Sequence, residues 1–333
     1  MTQKSKEKKK STHFVSRKGI SCDAVIFDID NVLIDTRASY LDAIRWTVEF
    51  YLTAGKLPLF KKDMSSKDHT VLSLEDIERF KLLGGFNDDW DCCYGLLVYL
   101  LSLDVQKRTT SELKNAVRLK EFARQIRLRP LGVPQIAALL GRPAGVTIEN
   151  ISRLFQEIYL GKDLFKTIER KYPLYWKKNG LIRREKLVFK KRILEKLKKA
   201  GLKLGITTGR CHFEAVYALK RFGIFDYFDA ITTSDEVKKA EEKLKRPLRK
   251  PNPYSLLQTA GKLGLDKKLI YVGDLPDDIF AVSAAKKSIR IKSVAFPTLS
   301  SSAEDALMEI QHAKPDYMIR SPAELVSLLG LST

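Results

Sequence analysis

Cysteine is scarce. The 333 residues contain four, Cys22, Cys92, Cys93 and Cys211, and no two stand in a CxxC pair. Adjacent Cys92 and Cys93 are badly placed to bridge each other or to clasp a zinc ion, so reduced and mostly buried thiols are the expectation. Histidine is equally sparse: His13, His69, His212 and His312 show no metal-ligand spacing, and only His212 falls near the carboxylates considered below. Long apolar runs are missing, since none approaches the ~18 residues that a membrane span requires. The opening "MTQKSKEKKKSTHFVSRK" has no apolar segment of the kind a signal peptide carries, so a cytoplasmic protein with no membrane partner is expected. Acid is short relative to base, 40 residues against 60, for a formal charge of +20. Three explanations of that excess are open: nucleic-acid binding, an anionic substrate, or the Lys/Glu-rich surface of a heat-adapted protein.

What is present reads as globular. Apolar residues make up 44% of the chain and aromatics 9%, enough for a sizeable core and, at this length, for two domains. The lysines of residues 4–10 lie in a stretch with nothing apolar to offset the entropy of ordering, so residues 1–20 are expected to form a disordered basic tail. A second basic region, "KKNGLIRREKLVFKKRILEKLKKAGLK", differs because Leu187, Ile193, Leu194 and Leu197 recur at near-helical spacing beneath the charges. With almost no aromatics among the basic residues, a solvated helix face is favoured over a nucleic-acid stripe.

Five short apolar runs predict buried strands: Ala24 to Ile29, Leu202 to Thr207, Ala230 to Thr233, Leu269 to Val272 and Ile289 to Ala295, with Tyr317 to Ile319 as a sixth. Helical stretches at Phe213 to Arg221, Tyr254 to Leu263 and Pro276 to Ala285 separate the later ones, a βαβ alternation that implies a parallel sheet. Ser321, Pro322 and Glu324 signal a last helix as N-cap, first position and capping box. Between Asp35 and about Gly201 strand signals vanish. There Tyr40, Ile44, Val48 and Tyr51 mark one helix, Ser73 with Asp76 caps another, and Asn87, followed by Asp88, Asp89 and Asp91, predicts the start of a third. The simplest architecture is α/β, a parallel sheet interrupted after its first strand by a helical insert far longer than an ordinary loop.

Ligands of parallel α/β sheets bind at the carboxyl ends of the strands, so the residues that end each strand belong together. The first strand ends in Asp28-Ile29-Asp30, the next in Thr207-Thr208-Gly209-Arg210, and "LIYVGD" runs into "GDLPDD" with Asp274, Asp277 and Asp278; Lys250 precedes the intervening helix. Several carboxylates at one point repel unless they hold a hard cation, and Mg²⁺ prefers oxygen ligands. Thr208 and Lys250 could then grip a phosphate. Taken singly, each aspartate is better explained as a loop or helix cap.

Together, "DIDNV", the strand-ending "LGITT", Lys250 and "GDLPDD" resemble, in order, the four motifs of the haloacid dehalogenase (HAD) superfamily. The resemblance covers Ser21 to Thr36 and Leu202 to Leu329, and implies a HAD-like Rossmannoid core. It implies that Asp28 is a nucleophile forming an aspartyl-phosphate and that Asp30 protonates the leaving oxygen and then activates water. Mg²⁺ would be held by the Asp28 carboxylate, the Asp30 backbone carbonyl and Asp274, with Asp278 as ligand or support, while Thr208, Gly209 and Lys250 would take the phosphoryl group. Dehalogenases of the superfamily lack an acid/base at the second aspartate, so Asp30 points to a phosphatase acting on a small phosphorylated metabolite. The alternatives are a phosphomutase of the β-phosphoglucomutase type and, third, a nucleic-acid-binding protein. Two residues depart from the pattern: Asn31 stands where a glycine is usual, and Arg210 either reaches the substrate or sits at a helix start.

An insert between the first two motifs is where the family places its C1 cap, so residues 21–36 and 190–333 are expected to form the core and 37–189 the cap. "GGFNDDWD" resembles a subgroup of C1-capped phosphatases, which makes Gly84, Gly85, Asn87 and Trp90 candidates for substrate contact; a helix-to-helix turn is the other reading. Asp35 is expected to cap the helix that leads into the insert.

Overall fold

The computed structural model describes residues 19–54, 59–63, 71–81, 83, 86, 88–126, 132–264, 268–297 and 303–331. In chain order, β1 (Ala24–Phe27) and a two-residue β2 (Ile34–Asp35) precede a π-helical turn (Arg37–Leu41) and helices α1 (Asp42–Thr53), α2 (Leu74–Lys81), α3 (Asp89–Leu101) and α4 (Thr110–Ala116). Helices α5 (Leu119–Ile126), α6 (Val133–Leu140) and α7 (Ile148–Glu169) complete the insert, and a tight helical turn (Leu181–Arg184) leads to β3 (Lys186–Leu187). Next come α8 (Lys191–Lys199), β4 (Lys203–Thr207), α9 (His212–Arg221), β5 (Ala230–Thr232), α10 (Ser234–Leu244) and α11 (Tyr254–Leu263). The chain ends with β6 (Leu269–Gly273), α12 (Pro276–Ala285), β7 (Ile291–Ala295), α13 (Ala303–His312), β8 (Tyr317–Met318) and α14 (Pro322–Leu328).

Six strands form one sheet in the order β5-β4-β1-β6-β7-β8, and every neighbouring pair is parallel. The expected parallel α/β core is therefore present. Side chains alternate across a strand, and β1 shows it plainly. Val25 and Phe27 enter a cluster with Leu194, Leu197, Ala215, Leu219 and Leu325 from α8, α9 and α14. Ala24 and Ile26 face the other way, onto Leu256 and Ala260 of α11 and Val282 of α12. Helices thus cover both faces, which is why the strands read as continuous apolar runs.

Because β1 lies between β4 and β6, the chain crosses first to one side of it and then to the other. That is the topological switch point, and the ends of β1, β4 and β6 lie side by side there. A third apolar cluster is built almost wholly from the insert, including Ile44, Val48, Phe80, Phe86, Leu97, Phe155 and Ile158. Antiparallel pairing of β2 with β3 joins the segments that carry the chain out of the sheet and back into it.

Several expectations shift in detail. Leu187, expected on the stripe of the basic helix, pairs with Ile34 in β3, so the helix begins only at Lys191 and buries Ile193, Leu194 and Leu197. The α3 N-cap is Asp88 rather than Asn87: its carboxylate accepts the N–H groups of Trp90 at 2.9 Å and Asp91 at 3.4 Å. The tail expected through residue 20 ends sooner, since Ile20 N–H donates to the Leu328 carbonyl at 2.9 Å; residues 1–18 lie outside the described residues. Ser73 and Asp76 do form the capping box of α2, each side chain accepting the other's backbone N–H. Among the described residues, no helix is long and apolar enough to cross a membrane.

Candidate active site

Strand β1 ends at Phe27, and Asp28 and Asp30 follow. Asp28 is 8% exposed; its Oδ1 accepts the Ile29 N–H at 2.8 Å, while Oδ2 faces Lys250 Nζ at 3.3 Å. Burial pushes its carboxyl up to about 7, the charges of Asp278 and Asp30 adding to the effect and Lys250 opposing it. Asp274, just past β6, is driven well above the usual carboxylate range by burial and by the charges of Asp278 and Asp28. One oxygen each of Asp28, Asp274 and Asp278 lies within 4.8 Å of the others, as ligands of one cation would.

Asp278 is the most heavily engaged of the three, with two partners on each oxygen. Oδ2 accepts the N–H groups of Asp274 and Leu275, both at 3.1 Å, and Oδ1 accepts the Tyr271 hydroxyl at 2.8 Å and faces Lys250 Nζ at 2.8 Å. It therefore shapes the turn that presents Asp274 and anchors the lysine. Gly273 makes room for it, since a Cβ there would lie 2.5 Å from the Asp278 carboxylate. Lys250 also donates to the Tyr271 hydroxyl at 2.6 Å. Burial works against its ammonium, but Asp278 and Asp28 outweigh that and hold its pKa above the ordinary lysine value.

Asn31, the departure from glycine, adopts a left-handed φ of 57°. Asparagine tolerates that region better than most side chains, and here its side chain is used. Nδ2 donates to Asp274 Oδ2 at 3.3 Å, and Oδ1 accepts from the Thr36 hydroxyl at 3.1 Å. Asp35, expected as the cap of the helical segment, stands one residue before its N-cap Thr36; it accepts the Arg37 N–H at 3.1 Å and pairs with the Arg37 guanidinium.

Thr208 follows β4 and is 3% exposed; its Oγ1 accepts the Arg210 N–H at 3.1 Å, which leaves the hydroxyl hydrogen free to donate. Next to it, Gly209 opens onto free space, with nothing within 4 Å of where a Cβ would stand. Arg210 stands at the start of α9, immediately before its N-cap Cys211, but its side chain turns into the protein. Its side chain is fully buried, with Nε and Nη2 on Asp30 Oδ1 at 2.8 and 2.7 Å and Nη2 on Glu185 Oε1 at 2.9 Å. In the insert, Trp90 packs against the helical cluster with Lys238 Nζ 6.0 Å from its ring, while Gly84, Gly85 and Asn87 lie outside the described residues.

The sequence reading brought together Asp28, Asp30, Lys250, Asp274 and Asp278. It missed Tyr271 and Glu185. A phenol within the apolar run "LIYVGD" was a usable signal, because a buried tyrosine hydroxyl requires a partner. Glu185 had no local signal, since its partners are distant in the chain.

An all-parallel sheet with carboxylates and a lysine at its switch point defines an α/β protein with an acidic site there, and comparison with known proteins gives its family. A profile described as haloacid dehalogenase-like hydrolase matches residues 22–286. The chain belongs to that family. The pyrophosphatase PpaX of Halalkalibacterium halodurans is 30% identical over 136 residues, 40% of this chain and 55% of that protein. A phosphoglycolate phosphatase of Nitrosococcus oceani is 27% identical over 135 residues, 40% of this chain and 52% of that one. The chain spans about half the length of the curated relatives it matches. Among solved structures, phosphatase Tt82 of Thermococcus thioreducens shares the fold, with a TM-score of 0.58 and 22% identity over 85% of this chain and 98% of that one.

Proposed function

We propose that the protein is a Mg²⁺-dependent phosphatase of small phosphate monoesters, working through an aspartyl-phosphate on Asp28. The observation that carries this is the pairing of Asp28 with Lys250 Nζ at 3.3 Å inside a carboxylate cluster at the sheet's switch point, with Asp30 two residues on. Oxygen donors alone, mutually repelling and buried, fit a hard divalent cation. Asp28, Asp274 and the Asp30 backbone carbonyl would hold it, and Asp278 would support them. Bound Mg²⁺ would offset the carboxylate charge and that of the phosphoryl oxygens.

In this reading Asp28 attacks phosphorus, the P–O bond to the leaving group breaks, and the departing oxygen takes a proton from Asp30. Water then attacks the aspartyl-phosphate, Asp30 recovers a proton from it, and phosphate leaves with Asp28 regenerated. Thr208 would donate its hydroxyl to a phosphoryl oxygen, Gly209 would leave room for the group, and Lys250 would balance charge on Asp28 and the phosphate. The helical insert, 37–189, would act as the lid that selects the substrate. Pyrophosphate and phosphoglycolate, from the relatives' names, head the panel to try. No feature of the described residues favours a phosphomutase, which would use the same carboxylates.

The test is phosphate release from p-nitrophenyl phosphate and a panel of phosphorylated metabolites with Mg²⁺. Wild type should turn over and Asp28→Asn should lose at least about 10³-fold; full activity in that variant would remove Asp28 as the nucleophile.

A further inference from the structure

Arg210 is the largest fully buried side chain among the described residues, and its contacts cross from the sheet to the insert. On one side its Nε and Nη2 both grip Asp30 Oδ1, at 2.8 and 2.7 Å. Oδ2 of that carboxylate is thereby left for a proton. On the other side Nη2 and Nη1 fork onto Glu185 Oε1 and Oε2 at 2.9 and 3.3 Å. Glu185 stands at the return of the insert, immediately before β3, and its Oε1 also accepts the Tyr159 hydroxyl at 3.0 Å and the Ser39 hydroxyl at 3.3 Å. Ser39 belongs to the outgoing π-turn and Tyr159 to α7, so one carboxylate ties together the exit, the return and the longest helix of the insert. Tyr40 lays its ring 5.3 Å from the guanidinium carbon and stacks on Tyr159 with centroids 4.5 Å apart.

This geometry leaves no N–H fork for a substrate. A buried guanidinium shared by two carboxylates costs a desolvation penalty that a merely structural helix start would not need. A planar fork is, however, what fixes a carboxylate in one orientation. We propose that Arg210 is a positioning residue that presents Asp30 as the acid/base, and that Glu185 makes this placement depend on the docked insert. The inference rests on the phosphatase reading above. Arg210 acts through Asp30, so it bears on the proton transfers, to the leaving group and later from water, and hardly at all on the binding of the phosphoryl group.

Leaving-group dependence separates these. p-Nitrophenolate departs with little help from an acid, whereas the alkoxide of β-glycerophosphate needs a proton. The full-length protein, its Arg210→Lys and Arg210→Met variants and the near-isosteric Glu185→Gln are assayed on both esters with Mg²⁺, with kcat and KM resolved. A positioned general acid is worth about 10²–10⁴-fold. Arg210→Met should therefore lower kcat/KM, which reports transfer to Asp28 ahead of the hydrolysis step that both esters share, by roughly 10²-fold on β-glycerophosphate and by only a few-fold on p-nitrophenyl phosphate. Arg210→Lys and Glu185→Gln should move the same ratio in the same direction by less. Should Arg210→Met fail to fold, these two carry the test. Equal losses of kcat/KM on both esters, or a loss confined to KM, overturn the positioning role while leaving the phosphatase reading intact. A wild type that hydrolyses neither ester nor any of the metabolite panel overturns both.

Discussion

Single carboxylates around the site differ in what burial does to them. Asp28 and Asp274 are raised by burial and by the acidic groups beside them, but Glu214 on α9 shows the effect away from the proposed metal ligands. It is 7% exposed, and burial pushes its carboxyl from 4.5 up to about 7; Asp30 adds to this, while Arg210 and hydrogen bonds from Tyr40 and Gln156 resist. The Tyr40 hydroxyl donates to it at 3.2 Å and the Gln156 amide at 3.5 Å. An acid whose folded pKa exceeds its unfolded one contributes stability below about 4.5 that is lost as pH rises through about 7. Glu214→Gln removes the ionisation and keeps the shape. The variant should therefore gain on wild type between pH 5 and pH 8, by an amount approaching about 3 kcal/mol. Urea unfolding of both proteins at the two pH values measures it, and a pH-independent difference would show that Glu214 is not held protonated.

Among the elements, α3 gives the sharpest local test because its start lies where insert and sheet domain meet. Asp88 caps it with two backbone hydrogen bonds and also faces the Arg249 guanidinium at 3.6 Å, next to Lys250. Asp88→Ala should cost about 1 kcal/mol, the usual worth of a lost N-cap. Chemical denaturation followed by tryptophan fluorescence, to which Trp90 contributes, reads this directly; an unchanged midpoint would mean that solvent satisfies those N–H groups equally well. The sequence placed this cap one residue early, because both Asn87 and Asp88 are good N-caps and nothing local chooses between them. Strands were easier. Five buried parallel strands read as apolar runs because both of their faces are covered, and Asp28, Thr208 and Asp274 were recognisable because each follows such a run directly. Leu187 misled for the opposite reason: a two-residue strand has no periodicity of its own, and only pairing with Ile34 creates it. Glu185 and Arg210 were opaque as partners, since the first is 146 residues from Ser39 and the second 180 residues from Asp30.

At the scale of the whole molecule, an excess of base coexists with a site where acid is concentrated. Four aspartates, Asp28, Asp30, Asp274 and Asp278, meet at the switch point, where Lys250 serves Asp28 and Asp278 and Arg210 is divided between Asp30 and Glu185. The Asp274 carboxylate accepts the Asn31 amide at 3.3 Å, and burial with its acidic neighbours raises its pKa. Like charges so arranged oppose folding until a cation joins them, and a cation that binds only the folded state stabilises by mass action. Mg²⁺ at a hundredfold excess over its Kd should therefore stabilise the protein by about 2.7 kcal/mol, with NaCl of matched ionic strength giving much less. Asp274→Asn makes the argument diagnostic because two signs are expected. Without Mg²⁺ the variant should melt at or above the wild-type temperature, having lost a repulsive charge; with Mg²⁺ it should gain far less. A variant that melts lower without the ion and responds to it in full would show that Asp274 serves the fold and that the cation, if bound, is held elsewhere.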